Sequence, residues 1–182
     1  DSRQSRGLGD VYKRQIIDQR TIQIDISDSY GDLYYKLKKI GADLVYDTVN
    51  NIIENKINLK PQINTAKLNS ANKLNKENCR IDWSMNASKI YNKIRGLSPY
   101  PGANCFLNHK NESLKIIIYS SKIEIESHQL NSGEIIIERK QIKIATNDGF
   151  LIPKEIKVQG KKRMNISDLM NGFKFDVSSK FI

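Results

Sequence analysis

The sequence predicts an α+β chain: a small β-barrel in its C-terminal part, joined by a linker to a strand and helix that belong to a larger α/β sheet domain. Three observations carry this. Period-2 apolar alternation at Ile22, Ile24 and Ile26 gives way to helical spacing over residues 33–52. Residues 56–80 then lose apolar periodicity and gather lysine and asparagine. Beyond Ala103 only short apolar runs remain, divided by turn-forming residues, as in a small closed or partly closed barrel.

Length and composition bound the reading. A chain of 182 residues holds one ordinary domain, or a domain plus a piece of another. Hydrophobic content of 38% with 27% charged residues is globular and excludes general disorder. No apolar run approaches the roughly 20 residues of a membrane helix, and the start has no apolar signal core, so a soluble, cytoplasmic chain is expected. Cys79 and Cys105 lack metal-ligand spacing and read as reduced thiols, with no zinc and no inferable disulfide. His109 and His128 are isolated and read as surface loop residues without metal spacing.

Element by element, residues 1–15 show no periodicity and are set aside as a segment resembling translated adapter sequence; a basic RNA-binding arm is the competing reading. Residues 16–55 read as a strand followed by a helix. Ser29 is placed to cap that helix, with Asp32 three positions on favouring the positive end of its dipole. Leu33, Leu37, Ile40, Leu44 and Ile52, flanked by Val45 and Val49, make an apolar stripe that one strand cannot cover. The unit is therefore expected to be a remnant of a larger sheet domain.

The net charge of +10 is unevenly spread. Residues 16–55 carry −3, residues 56–81 carry +5 and residues 82–182 carry +6. That asymmetry fits a polyanion held by the middle and C-terminal parts; a lysine-rich solvated surface is the alternative. In the linker, Lys67 and Lys73, with Lys60 and Lys76, are candidate phosphate contacts, against the reading of a solvated connector.

Residues 81–182 make the C-terminal domain. After Trp83 a helix beginning near Ser84 places Ala87, Ile90, Tyr91, Ile94 and Leu97 on one face. Lys89, Lys93 and Arg95 lie outside that stripe, and Arg95 joins the candidate phosphate contacts. Trp83 reads as a packing anchor and Asp82 as a turn acceptor, not a catalytic acid. Pro99 and Pro101 fix the chain direction around Tyr100. Short strands are expected at NCFL, LKIIIY, KIEI, GEIII, IKIA, FLI and EIKV, with Asn147-Asp148-Gly149 the strongest hairpin signal. Ser167 is expected to cap a last helix that Gly172 ends, with Leu169 and Met170 plugging a barrel mouth. After the final strand, Gly160-Lys161-Lys162-Arg163-Met164 sets three cations side by side, which attract a phosphate backbone without base specificity. A solvated turn is the competing reading.

The run IDWSMNASKIYNKIRGLSPYPGA, from Ile81 to Ala103, resembles the opening of the C-terminal domain in methionyl-tRNA formyltransferases. SYGDLYYKLKKIGADLVYDTVNNI resembles the closing helix of their Rossmann-like catalytic domain, and GKKRM is similar to a basic segment of their OB-like barrel. The resemblance covers the chain from Ile16 onward. It implies an enzyme that transfers a formyl group from 10-formyltetrahydrofolate to the amino group of initiator methionyl-tRNA. It further implies that this chain, lacking the family's Asn-x-His motif, is inactive alone and contributes tRNA binding. The nucleic-acid contacts expected are Lys161, Lys162, Arg163, Arg95, Lys67 and Lys73. No catalytic, cofactor-binding or metal residue is assigned, the partner is initiator methionyl-tRNA, no membrane is involved, and the chain is expected to be a monomer. A sugar-nucleotide formyltransferase and a stand-alone OB-type RNA-binding module are the alternatives.

Overall fold

Local sequence signals set the helices first. The computed structural model describes residues 15–62, 71–110, 112–176 and 178–182. Two units divide the chain, one comprising Asp1–Asp25 and Asp32–Asn72, the other Ile26–Gly31 and Lys73–Ile182.

In the first unit, β1 (Gln15–Ile16) pairs antiparallel with β2 (Lys60–Pro61). The alternation at Ile22, Ile24 and Ile26 does not produce the expected strand. No ladder includes these residues, and Ile24 and Ile26 are exposed at 55% and 82%. A strand is held by hydrogen bonds to a neighbouring strand, and the described residues supply no such neighbour there; the Ile26 carbonyl instead accepts from the Tyr91 hydroxyl at 3.3 Å. Helix α1 (Tyr30–Ile53) begins on the residue after Ser29 with Asp32 in its first turn. None of its residues is buried, and Leu37, Val45, Val49 and Ile52 of the apolar stripe are exposed.

The second unit is built around a seven-stranded antiparallel sheet: β3 (Ala103–His109), β4 (Glu112–Glu124), β5 (Ile135–Glu138), β6 (Gln141–Ala145), β7 (Phe150–Val158), β8 (Met164–Asn165) and β9 (Lys180–Phe181). The order is β5-β6-β7-β4-β3-β9, with β8 on β7. A bridge between Glu134 and Lys180, and the Phe181 amide donating to the Gly133 carbonyl at 2.9 Å, bring the two ends of that path together. The result is a nearly closed barrel.

Alternation explains its inside. Ala103, Cys105 and Leu107 on β3, and Ile116 and Ile118 on β4, point inward and are buried. Each such isoleucine or leucine contributes about 1.5–3 kcal/mol by leaving water. Trp83 packs edge-on against Phe181 at 5.6 Å and is 4% exposed, an anchor as its position predicts.

Seven strand signals were expected between Asn104 and Val158, but LKIIIY and KIEI form the single strand β4, and FLI and EIKV the single strand β7. Ser120-Ser121 and Pro153, which look like breaks, lie opposite one another. Pro153 takes a donor from the ladder and the β4–β7 register shifts beside it at Ser120, so the strands bend without ending. Nor is EIKV the last strand, since β8 and β9 follow.

Helix α2 (Ala87–Leu97) starts three residues later than Ser84, with Asn86 at its N-cap. Ala87, Ile90, Ile94 and Leu97 are buried as the spacing requires. Its first free amide, on Ala87, donates to Asp148 Oδ1 at 2.7 Å, so the NDG hairpin supplies the cap from 61 residues away. Asp82 accepts from the Ser84 amide at 3.0 Å and hydroxyl at 2.6 Å, a turn acceptor. Helix α3 (Ile166–Gly172) is preceded by Asn165, and Ser167 lies inside it, so Ser167 is not the cap; Leu169 is buried and Met170 packs on the core.

Candidate nucleic-acid interface

The GKKRM segment is the loop of a hairpin. β7 ends at Val158 and β8 returns along it, Met164 opposite Ile156 and Asn165 opposite Glu155. The Lys161 amide donates to the Val158 carbonyl at 2.9 Å, and Gly160 sits at φ +76, a left-handed conformation that suits glycine. A tight reversal therefore presents the three cations.

Those cations are not equivalent. Arg163 forms a fork on Glu155, Nε to Oε1 at 2.5 Å and Nη2 to Oε2 at 2.6 Å, and its guanidinium lies 4.1 Å from the Tyr119 ring centroid. The hydrogen bond that Arg163 donates to Glu155 pushes the Arg163 pKa up, so its charge is permanent. Lys161 and Lys162 are exposed, and among the described residues no ion pair or side-chain hydrogen bond engages them. Glu155 is thus answered by Arg163, and among the described residues no carboxylate pairs with either lysine.

Around the hairpin, the outward face of the barrel is both cationic and aromatic. Lys115, Ile117 and Tyr119 alternate with the buried isoleucines of β4, and the register sets Phe106 opposite Lys115 and Lys157 opposite Ile117. Arg80 lies over the Phe106 ring at 5.6 Å. Lys115, Lys157 and Arg80 were not among the sequence candidates, although period-2 counting along LKIIIYS already places Lys115 and Tyr119 on one face.

Other expected contacts are dispersed. Lys73 is exposed in the segment leading to α2, where its carbonyl accepts from Asn78 Nδ2 at 2.8 Å. Arg95 donates to Asn92 Oδ1 at 2.7 Å and to the Asp28 carbonyl at 2.9 Å, tying segment 26–31 to α2. Lys67 lies outside the described residues.

His128 lies half-buried in the loop between β4 and β5, as expected of a loop residue, whereas His109 closes strand β3 and is packed, contrary to that expectation. His128 Nε2 meets the Gly149 carbonyl at 3.0 Å and its ring stacks on Phe150 at 4.6 Å. The His109 side chain is 10% exposed, with Nδ1 at 2.8 Å from Ser179 Oγ and 3.8 Å from Asp176. Asn108, His109 and Asp176 resemble in type the groups that manage acyl transfer, but neighbours on a strand face opposite ways, so Asn108 and His109 do not converge. Both cysteines are free and buried, and burial pushes the Cys105 thiol pKa upward. Among the described residues no group of acidic, histidine and cysteine side chains is placed to hold a metal, and no helix is long and apolar enough to cross a membrane.

Residues 73–174 match the formyl transferase, C-terminal domain family. The chain belongs to this family. Methionyl-tRNA formyltransferase of Flavobacterium johnsoniae is 41% identical over 159 residues, 87% of this chain and 50% of the relative. The chain thus spans about half the length of the curated relatives it matches. Among solved structures, a variant of HypX from Aquifex aeolicus superposes with TM-score 0.62 at 15% identity, over 87% of this chain and 28% of that one. WlaRD, a sugar 3N-formyl transferase solved with dTDP and 5-N-formyl-THF, gives TM-score 0.51 at 24% identity, over 81% of this chain and 50% of that one. At these identities the likeness is one of fold. The GKKRM hairpin falls inside the span matched to the formyl transferase C-terminal domain, whereas the whole of α1 precedes it.

Proposed function

We propose that this chain is the RNA-holding C-terminal part of a methionyl-tRNA formyltransferase. The observation that carries the reading is the GKKRM hairpin, with Lys161 and Lys162 uncompensated beside an Arg163 locked onto Glu155 and Tyr119. Phosphates of initiator tRNA bind Lys161 and Lys162, with Lys73 as a further contact in the segment before α2 and Lys67 kept as a candidate from the sequence. Arg163 and Arg95 present one face to the RNA while their hydrogen bonds hold the hairpin and segment 26–31 in place. The relatives' name supports the substrate, and the basic character of residues 56–182 supports a polyanion.

In this reading the barrel is the OB-like module and α1 the closing helix of a Rossmann-like catalytic domain, whose other elements cover the apolar stripe. The folate donor and the groups that move the formyl unit belong to that domain, and no step of the transfer is assigned to a residue of this chain. The 182-residue chain alone therefore shows no turnover with 10-formyltetrahydrofolate and charged initiator tRNA. A sugar-nucleotide formyltransferase is the second reading, favoured only by the fold it shares. It gives no reason for a salt-dependent grip on RNA.

Titration of initiator tRNA at several salt concentrations decides between them. Changing Lys161, Lys162 and Arg163 to Ala is expected to flatten the plot of log affinity against log salt by about one per lost contact. An unchanged slope removes the hairpin from the interface, and the absence of RNA binding by the parent chain overturns the reading as a whole.

A further inference from the structure

A second concentration of positive charge surrounds a groove of about 740 Å³ beside the GKKRM hairpin. Arg139 and Lys140 reach it from the β5–β6 tip, Lys154 from β7, and Asn165 and Ser167 from the start of α3; among the described residues that line it, the acidic one is Glu138. That carboxylate is already answered, by Lys143 at 3.4 Å and by the Gln141 amide at 3.2 Å. Among the described residues, no ion pair or side-chain hydrogen bond engages Arg139, Lys140 or Lys154. Three cations therefore face the groove without a counter-charge.

The hairpin tip adds an independent sign. Glu138 pairs with Gln141, so Arg139-Lys140 is a two-residue loop, and Arg139 has φ +45. Loops of this length select glycine or asparagine, because a left-handed backbone crowds an ordinary side chain. A long cation held there violates local preference, and such violations gather where a side chain is used. The groove's volume suits a ligand of nucleotide size more than a lone ion.

We propose that this groove seats a phosphodiester of the bound RNA, through Arg139, Lys140 and Lys154, as a contact separate from Lys161 and Lys162. The proposal rests on the RNA-holding reading above and extends it. The GKKRM loop runs through Met164 straight into Asn165, which lines the groove, so a single RNA backbone reaches both sites.

The test uses the full 182-residue chain titrated with initiator tRNA from about 50 to about 200 mM salt. The charge-neutral variant R139Q/K140Q/K154Q is expected to lower the slope by about 0.9 for each contact removed. In parallel, R139G relieves the left-handed strain, so it is expected to raise Tm while lowering the slope by about one. A tip with only a structural role gains Tm and keeps the parent slope, which overturns the proposal. So does a parent slope in the triple variant when K161A/K162A lowers it, an outcome that leaves the RNA-holding reading standing. Failure of the parent chain to bind tRNA strikes that reading instead, and the proposal with it. Inorganic phosphate separates the two sources of this chemistry. If it perturbs the amide resonances of residues 138–141 saturably while the triple variant keeps the parent tRNA slope, the groove is a small-anion site and the proposal falls. Should the triple variant not fold, K154Q and R139G carry the comparison singly.

Discussion

Arg163 shows how one side chain serves both the fold and the surface. Its fork on Glu155 and its place over Tyr119 join β7, β8 and β4, so Arg163→Ala removes packing as well as charge. Lys161→Ala and Lys162→Ala, by contrast, are expected to leave Tm within a degree or two and to change only the salt dependence of RNA binding. At Asp148 the expected effect is on stability. Asp148→Ala frees the Ala87 amide and costs about 1 kcal/mol, read as a lower midpoint in urea. Ser121 gives the opposite sign, because among the described residues its buried hydroxyl has no hydrogen-bond partner. Ser121→Ala is expected to hold or raise Tm, since it deletes an unsatisfied group. Acid sensitivity follows from the carboxylates. Ser84 holds the Asp82 pKa below its ordinary 3.8, Ser178 does the same for Asp176, and Asn131 holds Glu134 below 4.5. A folded-state pKa below the unfolded one stabilises fully above the unfolded value and is lost as pH falls through the folded one. Urea midpoints are therefore expected to be insensitive to these three groups above about pH 5 and to decline below pH 4.

At the scale of elements, α1 and the barrel respond differently to the same kind of substitution. Ile118→Ala in β4 leaves a cavity in a packed interior and is expected to cost about 2–5 kcal/mol. Val45→Ser and Val49→Ser in α1 touch exposed positions and are expected to cost under about 0.5 kcal/mol each in this chain. Helices were legible because their period and caps are local: α1 starts beside Ser29, and α2 buries the face its spacing names. Strand ends were less legible. Ser120-Ser121 and Pro153 are turn residues in isolation, yet the neighbouring strand absorbs both in a bend, and that partner lies some thirty residues away in sequence. The strand expected at Ile22–Ile26 failed for a related reason, since alternation states a preference and only a neighbour satisfies it. Likewise Asp148 capping α2 is an encounter across 61 residues that no spacing rule announces.

Across the whole molecule, charge is organised more by topology than by sequence. Lys115, Lys157, Lys161 and Lys162 come from separate turns and strands and reach the outer barrel through register alone. If these cations act together, log affinity for RNA falls with log salt more steeply than the three residues of GKKRM allow, a prediction for the parent chain at roughly 0.9 per phosphate contact. The family was readable from Ile81 to Ala103 because that run fixes a turn, a helix and a proline corner at one junction. The arrangement of cations around it was not readable in the same way. The joining of Glu134 to Lys180, and of Gly133 to Phe181, has a further bearing on biogenesis. Until residues 180–182 have left the ribosome, Phe106 and Asn108 on one flank and Gly133 on the other expose unpaired backbone to any sticky neighbour. Removing residues 180–182 from this 182-residue chain is therefore expected to raise its aggregated fraction in light scattering.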